Sequence, residues 1–219
     1  MNLEITLVRH GNTDANNERW LQGHVDTELN KNGLRQAESC GKRLAQASYD
    51  HVYCSDLTRC EQTAAAIMTY HPHASIEYSP SLRERDFGTL VRQHVSYLTS
   101  ESSQQGISID QLITNHEGES LQIFRERVIH AFESIVQDAI QKQYKSVLIV
   151  THGGPLKQLT SYWTHQAGLK AKGTLRIALV AQGNTAITRI DWTNKCILEF
   201  NCTQHLKHQA GSSSPPPAV

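Results

Sequence analysis

The sequence carries no net charge. Its 219 residues hold 21 Lys and Arg against 21 Asp and Glu, with 12 His left to titrate. That balance argues against a bulk electrostatic hold on nucleic acid or on an anionic membrane, while a small basic pocket stays open. There is no C-x-x-C pair, and the five Cys are odd in number and irregularly spaced. Free thiols in a reducing compartment are expected rather than a disulfide framework. No apolar run approaches the roughly 18 residues of a membrane span. Residues 1–14 lack a basic stretch before a long apolar core, so no signal peptide is expected. No internal repeat is present. These absences lead to the expectation of a soluble, cytoplasmic protein with neither nucleic acid nor membrane as partner, its oligomeric state open. At about 150 residues per domain the length suits one domain, placed at residues 1–205. The Ser- and Pro-rich end from Gly211 cannot build a core, and residues 206–219 are expected to be a disordered tail.

What is present alternates between short apolar runs and helical spacing. Residues 3–8, 51–54 and 146–151 read as buried strands, the last most clearly, and 76–78 as an edge strand. Helices are expected at about 32–47, from a cap at Ser55 or Asp56 through Thr63 to Met68, from Ser120 to about Tyr144, and after His152. Residues 175–180 and 185–190 read as a hairpin about Gln182, Gly183 and Asn184, and 196–201 as a last strand. The fold class is α/β: a three-layer sandwich with a mostly parallel central sheet and helices on both faces. Residues 93–119 are polar and poorly periodic, and are expected to form a lid-like insertion spanning about 89–119.

In such sheets ligands bind beyond the carboxyl ends of the strands. That rule gathers Arg9, His10 and Gly11, then Arg59, then His152, Gly153 and Gly154 on one rim. Arginine forks match phosphate oxygens, and helix N-termini add N–H donors. The glycines would admit a ligand close to the backbone. A neutral imidazole can attack phosphorus, and a second, protonated one would stabilise the transferring charge. Glu84 is the candidate acid for the leaving oxygen, with Asp86 second. Taken singly, each of these residues has an ordinary explanation as a capped, solvated or salt-bridged side chain. Their convergence points to a phosphate site.

The run Leu7 to Thr13 resembles the R-H-G signature of the histidine phosphatase (phosphoglycerate mutase-like) superfamily. The likeness continues through Asn16, Gln22 to Asp26, Leu29, Gly33, Gln36 and Ala37. It extends over Ser55 to Ala64, Leu82 to Gly88, Gly118 to Ser120 and Val150 to Gly154. The resemblance implies that His10 is a nucleophile forming phosphohistidine. It implies that Arg9, Arg59 and His152 cradle the phosphoryl group, and that Glu84 acts as acid and then base. Gly11, Asn16, Gln22, Gly23 and Gly153 would line the phosphate and substrate pocket, and no cofactor or metal is implied. Two places depart from the pattern. Asn12 stands where an acidic residue or Gln is common. Val91 and Arg92 stand where the phosphatase branch carries a Glu-Gly pair, which bears on the placement of Glu84.

Between residues 93 and 119 there is no Arg or Lys to clamp a second anion. The compact phosphatase branch is therefore expected, with a small phosphorylated metabolite as substrate. The alternatives are a phosphoglycerate mutase or fructose-2,6-bisphosphatase-like activity, or a regulatory module of low activity on the same scaffold. Cys202, His205 and His208 with His71 and His73 resemble zinc ligands only loosely and are assigned to solvent. His94, His116, His130 and His165 have no assigned purpose.

Overall fold

The computed structural model describes residues 2–211, with side chains through Lys207. Its strands are β1 (Glu4–Arg9), β2 (His51–Ser55), β3 (Ser75–Ser79), β4 (Ser146–Thr151), β5 (Lys170–Ala171), β6 (Ile187–Asp191) and β7 (Cys196–Cys202). Its helices are α1 (Asp14–Glu18), α2 (Lys31–Leu44), α3 (Thr58–Met68), α4 (Ser96–Gln105), α5 (Ile109–Asn115), α6 (Leu121–Gln141) and α7 (Gly153–His165). The strands form one sheet in the order β3-β2-β4-β1-β6-β7-β5, and only β6 runs against the rest.

The central strands are buried on both faces, which is why they read as continuous apolar runs. In β4, Val147 and Ile149 pack with Phe124, Val128 and Phe132 of α6 and with Leu156 and Trp163 of α7. Leu148 and Val150 point the other way, into a core with Cys40 and Leu44 of α2 and Ala64 and Ile67 of α3. Period-2 alternation thus divides one strand between two layers of helix. β3 takes the outer position assigned to it.

Several local expectations need correction. Residues 175–180 form no strand. Leu175 and Ile177 lean onto the α6–α7 core, Leu179 and Val180 are exposed, and the edge of β7 is taken by the two residues of β5. The hairpin is instead β6–β7, turning at residues 192–195. Helix α3 is not capped by Ser55 or Asp56. Its first N–H, at Thr58, donates to Asp26 Oδ1 at 2.7 Å, while Asp56 is drawn aside by a two-pronged pair with Arg83 (2.7 and 2.6 Å). Leu34, Leu121 and Ile140 share the helical spacing of the apolar residues in α2 and α6 yet are 43–50% exposed. Ser120 does cap α6, accepting from Ile123 N at 3.2 Å.

The segment at 89–119, expected to be a lid-like insertion, contains two short helices, α4 and α5. They pack over a small core of their own, formed by Leu21, Leu90, Leu112 and Ile113. A 3-10 turn at Gln204–Gly211 crosses the tail boundary drawn at 205/206, and residues 212–219 lie outside those described. Among the described residues no helix is long and apolar enough to cross a membrane.

Candidate functional site

Parallel pairing places the site. Arg9 stands opposite Thr151 in the β1–β4 ladder, so the next residues, His10 and His152, emerge side by side. Their ring centroids are 5.2 Å apart, and both are almost wholly buried. His10 Nδ1 lies 2.7 Å from Gly11 O, an acceptor only, so Nδ1 carries the proton and Nε2 is the unprotonated nitrogen. Burial, then the charges of Arg9 and Arg59, push the His10 imidazole well below its usual value and keep it neutral.

His152 is held neutral in the same way, by burial and then by Arg59, His10 and Arg9. The protonated form considered from the sequence is thus not the one these surroundings favour by themselves. Its Nδ1 accepts from Arg59 Nε at 3.2 Å, so its Nε2 carries the proton toward Ser55 Oγ at 2.8 Å. Cys60 Sγ lies 3.4 Å from His152 Nε2, but burial raises that thiol to about 12 and leaves it no rival nucleophile.

Arg59 enters from the first turn of α3 and is fully buried. It donates to Val25 O and Gly23 O, both at 2.8 Å, and so shapes the loop at 22–27 around itself. Arg9 donates from Nη1 to Gln182 O at 2.6 Å, while its buried Nε has no protein partner. Glu84 leaves the carboxyl end of β3 by way of a 3-10 turn at Pro80–Leu82. Its Oε2 accepts from Gly154 N, at the start of α7, and its Oε1 from Arg85 N, both at 2.9 Å. Asp86, the second acid candidate, faces away toward His24 Nδ1 at 3.6 Å and Gly88 N at 2.8 Å.

The remaining residues of the expected set form the support. Asn16 Oδ1 closes a capping box at the start of α1 by accepting from Thr13 N at 3.1 Å. Gln22 Oε1 accepts from the Thr13 and Thr27 hydroxyls at 3.1 and 2.7 Å. Fixing the two carboxamide oxygens leaves the NH2 ends to donate. Gly23 contributes its carbonyl to Arg59. Gly153 opens toward Arg9, whose Nε lies 3.3 Å from where a Cβ would stand. Two glycines have a different reason from close approach of a ligand. A Cβ on Gly11 would meet Gly33 O at 2.7 Å, and one on Gly154 would meet Glu84 Oε1 at 1.9 Å.

Sequence reasoning missed the shell that holds these groups. Asn184 Nδ2 donates to His10 O at 3.0 Å, and Thr63 Oγ1 accepts from Gly11 N at 3.0 Å. Gln182 and Asn184 were read only as a turn. The spacing of Thr63, one turn after Arg59, was the available signal. Among the described residues no group of three or more His, Cys, Asp or Glu could hold a metal ion. His71 is not solvated as expected: it is buried with its ring 4.9 Å from that of Tyr49. His205 bonds Thr185, and the His208 side chain lies outside the described residues.

Buried, neutral imidazoles between two buried guanidinium groups, with a carboxylate at a helix N-terminus beside them, suit transfer of a phosphoryl group. Comparison with known proteins agrees. A family model described as the histidine phosphatase superfamily (branch 1) matches residues 5–202. A Schizosaccharomyces pombe protein named as a probable phosphatase is 29% identical over 195 residues, which cover 87% of this chain and 88% of that protein. A Salmonella arizonae protein named as a probable phosphoglycerate mutase, GpmB, is 34% identical over 193 residues, or 87% and 85% of the two chains. The crystal structure of a phosphoglycerate mutase from Bacillus anthracis superposes with a TM-score of 0.76 over 91% of this chain and 92% of that one, at 20% identity, a likeness of fold.

Proposed function

The chain belongs to the histidine phosphatase superfamily, branch 1, and from that premise we propose that it is a metal-independent phosphomonoesterase acting on a small phosphorylated metabolite. One observation carries the reading: the His10 tautomer. With Nδ1–H committed to Gly11 O and the ring kept neutral by its surroundings, Nε2 offers its lone pair as the nucleophile.

The steps follow from the residues. The phosphoryl dianion enters beside Arg9 and Arg59, with Arg9 Nε as a ready donor. Its charge offsets the cations that hold His152 neutral, so the proton affinity of His152 rises on binding. His10 Nε2 attacks phosphorus in line with the ester oxygen. Glu84 delivers a proton to that oxygen as the P–O bond breaks. The same carboxylate, now ionised, takes a proton from the water that hydrolyses phosphohistidine. These groups between them supply nucleophile, charge neutralisation and proton transfer.

The name of the Salmonella relative favours a second reading, a mutase, which must hold a further anion while its substrate turns. The cations near the mouth argue for hydrolysis. Arg83 is paired with Asp56 and Arg85 with Asp110, so these two neighbours of Glu84 are already committed to carboxylates rather than to a second anion. The test is p-nitrophenyl phosphate hydrolysis by wild type and His10→Ala, each with and without EDTA. The reading expects EDTA-insensitive turnover that is lost in the variant. EDTA-sensitive turnover, or an active variant, overturns it. Isomerisation of phosphoglycerate faster than its hydrolysis would select the mutase.

A further inference from the structure

The Gly118-Glu119-Ser120 run belongs to no step above, yet Glu119 is mostly buried and paired with Arg127 of α6. Arg127 has five N–H donors, and each one has a partner. Nε donates to Glu119 Oε1 at 2.9 Å, and Nη2 to Glu119 Oε2 at 2.8 Å. The second Nη2 hydrogen goes to Glu84 O at 3.1 Å. Nη1 donates to Ser81 O at 2.9 Å and to Arg83 O at 3.1 Å.

Those carbonyls belong to the segment that carries Glu84. It leaves the 3-10 turn Pro80–Leu82, which holds Ser81 and Leu82, and runs toward a second at Gly88–Leu90 with no ladder to orient it. The missing carbonyl in the series, Leu82 O, accepts from Thr151 Oγ1 at 2.7 Å. Four consecutive carbonyls are therefore held by side chains, three of them by one guanidinium. Glu119 grips the same segment by its backbone: its N–H donates to Asp86 O at 3.0 Å, and its carbonyl accepts from Arg85 Nε at 2.9 Å. The Phe124 ring, 5.3 Å from the Arg127 guanidinium carbon, backs the arrangement.

We infer that Arg127, locked by Glu119, is the positioning residue for the Glu84 carboxylate. Proton transfer needs that carboxylate within hydrogen-bond reach of the leaving oxygen. A misplacement of about 1 Å is enough to cost on the order of a hundredfold. A lysine at 127 would keep the charge but could not make five directed bonds. The inference rests on the reading of Glu84 given above.

The test compares kcat/KM, which reports steps through phosphoryl transfer, for p-nitrophenyl phosphate and for glycerol 2-phosphate. p-Nitrophenolate leaves without a proton, whereas an alkoxide does not. The control, Glu84→Gln, should lose glycerol phosphate turnover selectively. If it does not, the role given to Glu84 fails and the inference falls with it. With the control as expected, Arg127→Lys should lower glycerol phosphate turnover about ten- to a hundredfold and p-nitrophenyl phosphate turnover less than about threefold. Inhibition by inorganic phosphate should be unchanged, because Arg9 and Arg59 are untouched. Adding Arg127→Lys to Glu84→Gln should have no further effect on the alkyl substrate. Glu119→Gln provides a second, nearly isosteric variant should Arg127→Lys melt early, and the same pattern is expected of it. Equal losses on both substrates, or additive losses in the double variant, would show a general structural role and overturn the inference.

Discussion

A single methyl group at position 154 should separate activity from stability. The Cβ of Gly154→Ala would stand 1.9 Å from Glu84 Oε1, and an ordinary contact begins at 3.4 Å, so the carboxylate must retreat by about 1.5 Å. The nearest atoms are the far end of a flexible side chain, which can retreat at little structural cost, while the Phe124 ring, 3.1 Å from the same Cβ, must give by a few tenths of an ångström. The retreat does carry the carboxylate away from the leaving oxygen, and a displacement of this size costs on the order of a hundredfold in rate. Stability should respond weakly. Replacing Gly by Ala in a helix contributes roughly 0.5–1 kcal/mol. The lost N–H bond to Glu84 Oε2 opposes this with about 1–2 kcal/mol. The two nearly offset, and for a chain of this size the melting temperature should move by less than about 5 °C. The assay is kcat/KM on an alkyl phosphate beside a thermal melt. A folded Gly154→Ala enzyme with wild-type activity on that substrate would refute the placement of Glu84 described here.

Other perturbations give distinct signatures. His10 and His152 are held neutral in the folded protein, chiefly by burial, but take up protons in the unfolded chain below about pH 6.5. Their contribution is therefore complete above that value and is lost as pH falls toward their depressed folded values, at up to about 1.4 kcal/mol per pH unit for each. Urea midpoints between about pH 7 and 5 should fall steeply for wild type and less steeply, by about one proton, for His152→Gln. Asp26→Ala removes the distant cap of α3 and should cost about 1 kcal/mol in urea unfolding. Asn184→Ala removes the side-chain donor to His10 O, leaving the longer bond from Thr185 N at 3.4 Å, and should destabilise by about 1 kcal/mol, with a fall in kcat on p-nitrophenyl phosphate.

The sequence showed most of the frame because burial on both faces of a parallel sheet leaves a mark of its own. β1, β2 and β4 are short runs bounded by chemistry-bearing residues, and the rule for strand ends then gathers Arg9, Arg59 and His152 about His10. Glu84 was singled out from its charged segment. What stayed hidden depends on contacts between residues far apart in the chain. The Asp26 cap on α3 and the Asn184 bond to His10 leave no periodic trace. The alternation at 175–180 imitated a strand because two of its apolar residues pack sideways onto helices. The helices α4 and α5 escaped because their core is only a few residues deep. The neutral state of His152 could not be read either, since it follows from how many cations the fold brings to a dry site.

The central claim is that His10 carries the phosphoryl group. Wild-type protein should be mixed with p-nitrophenyl phosphate, quenched in alkali within the first turnovers, digested and examined by mass spectrometry. The account predicts one added phosphoryl group on the peptide containing His10, stable to alkali, lost in acid, and absent from His10→Ala. A phosphoryl group on any other residue, or turnover that persists in His10→Ala, would contradict it.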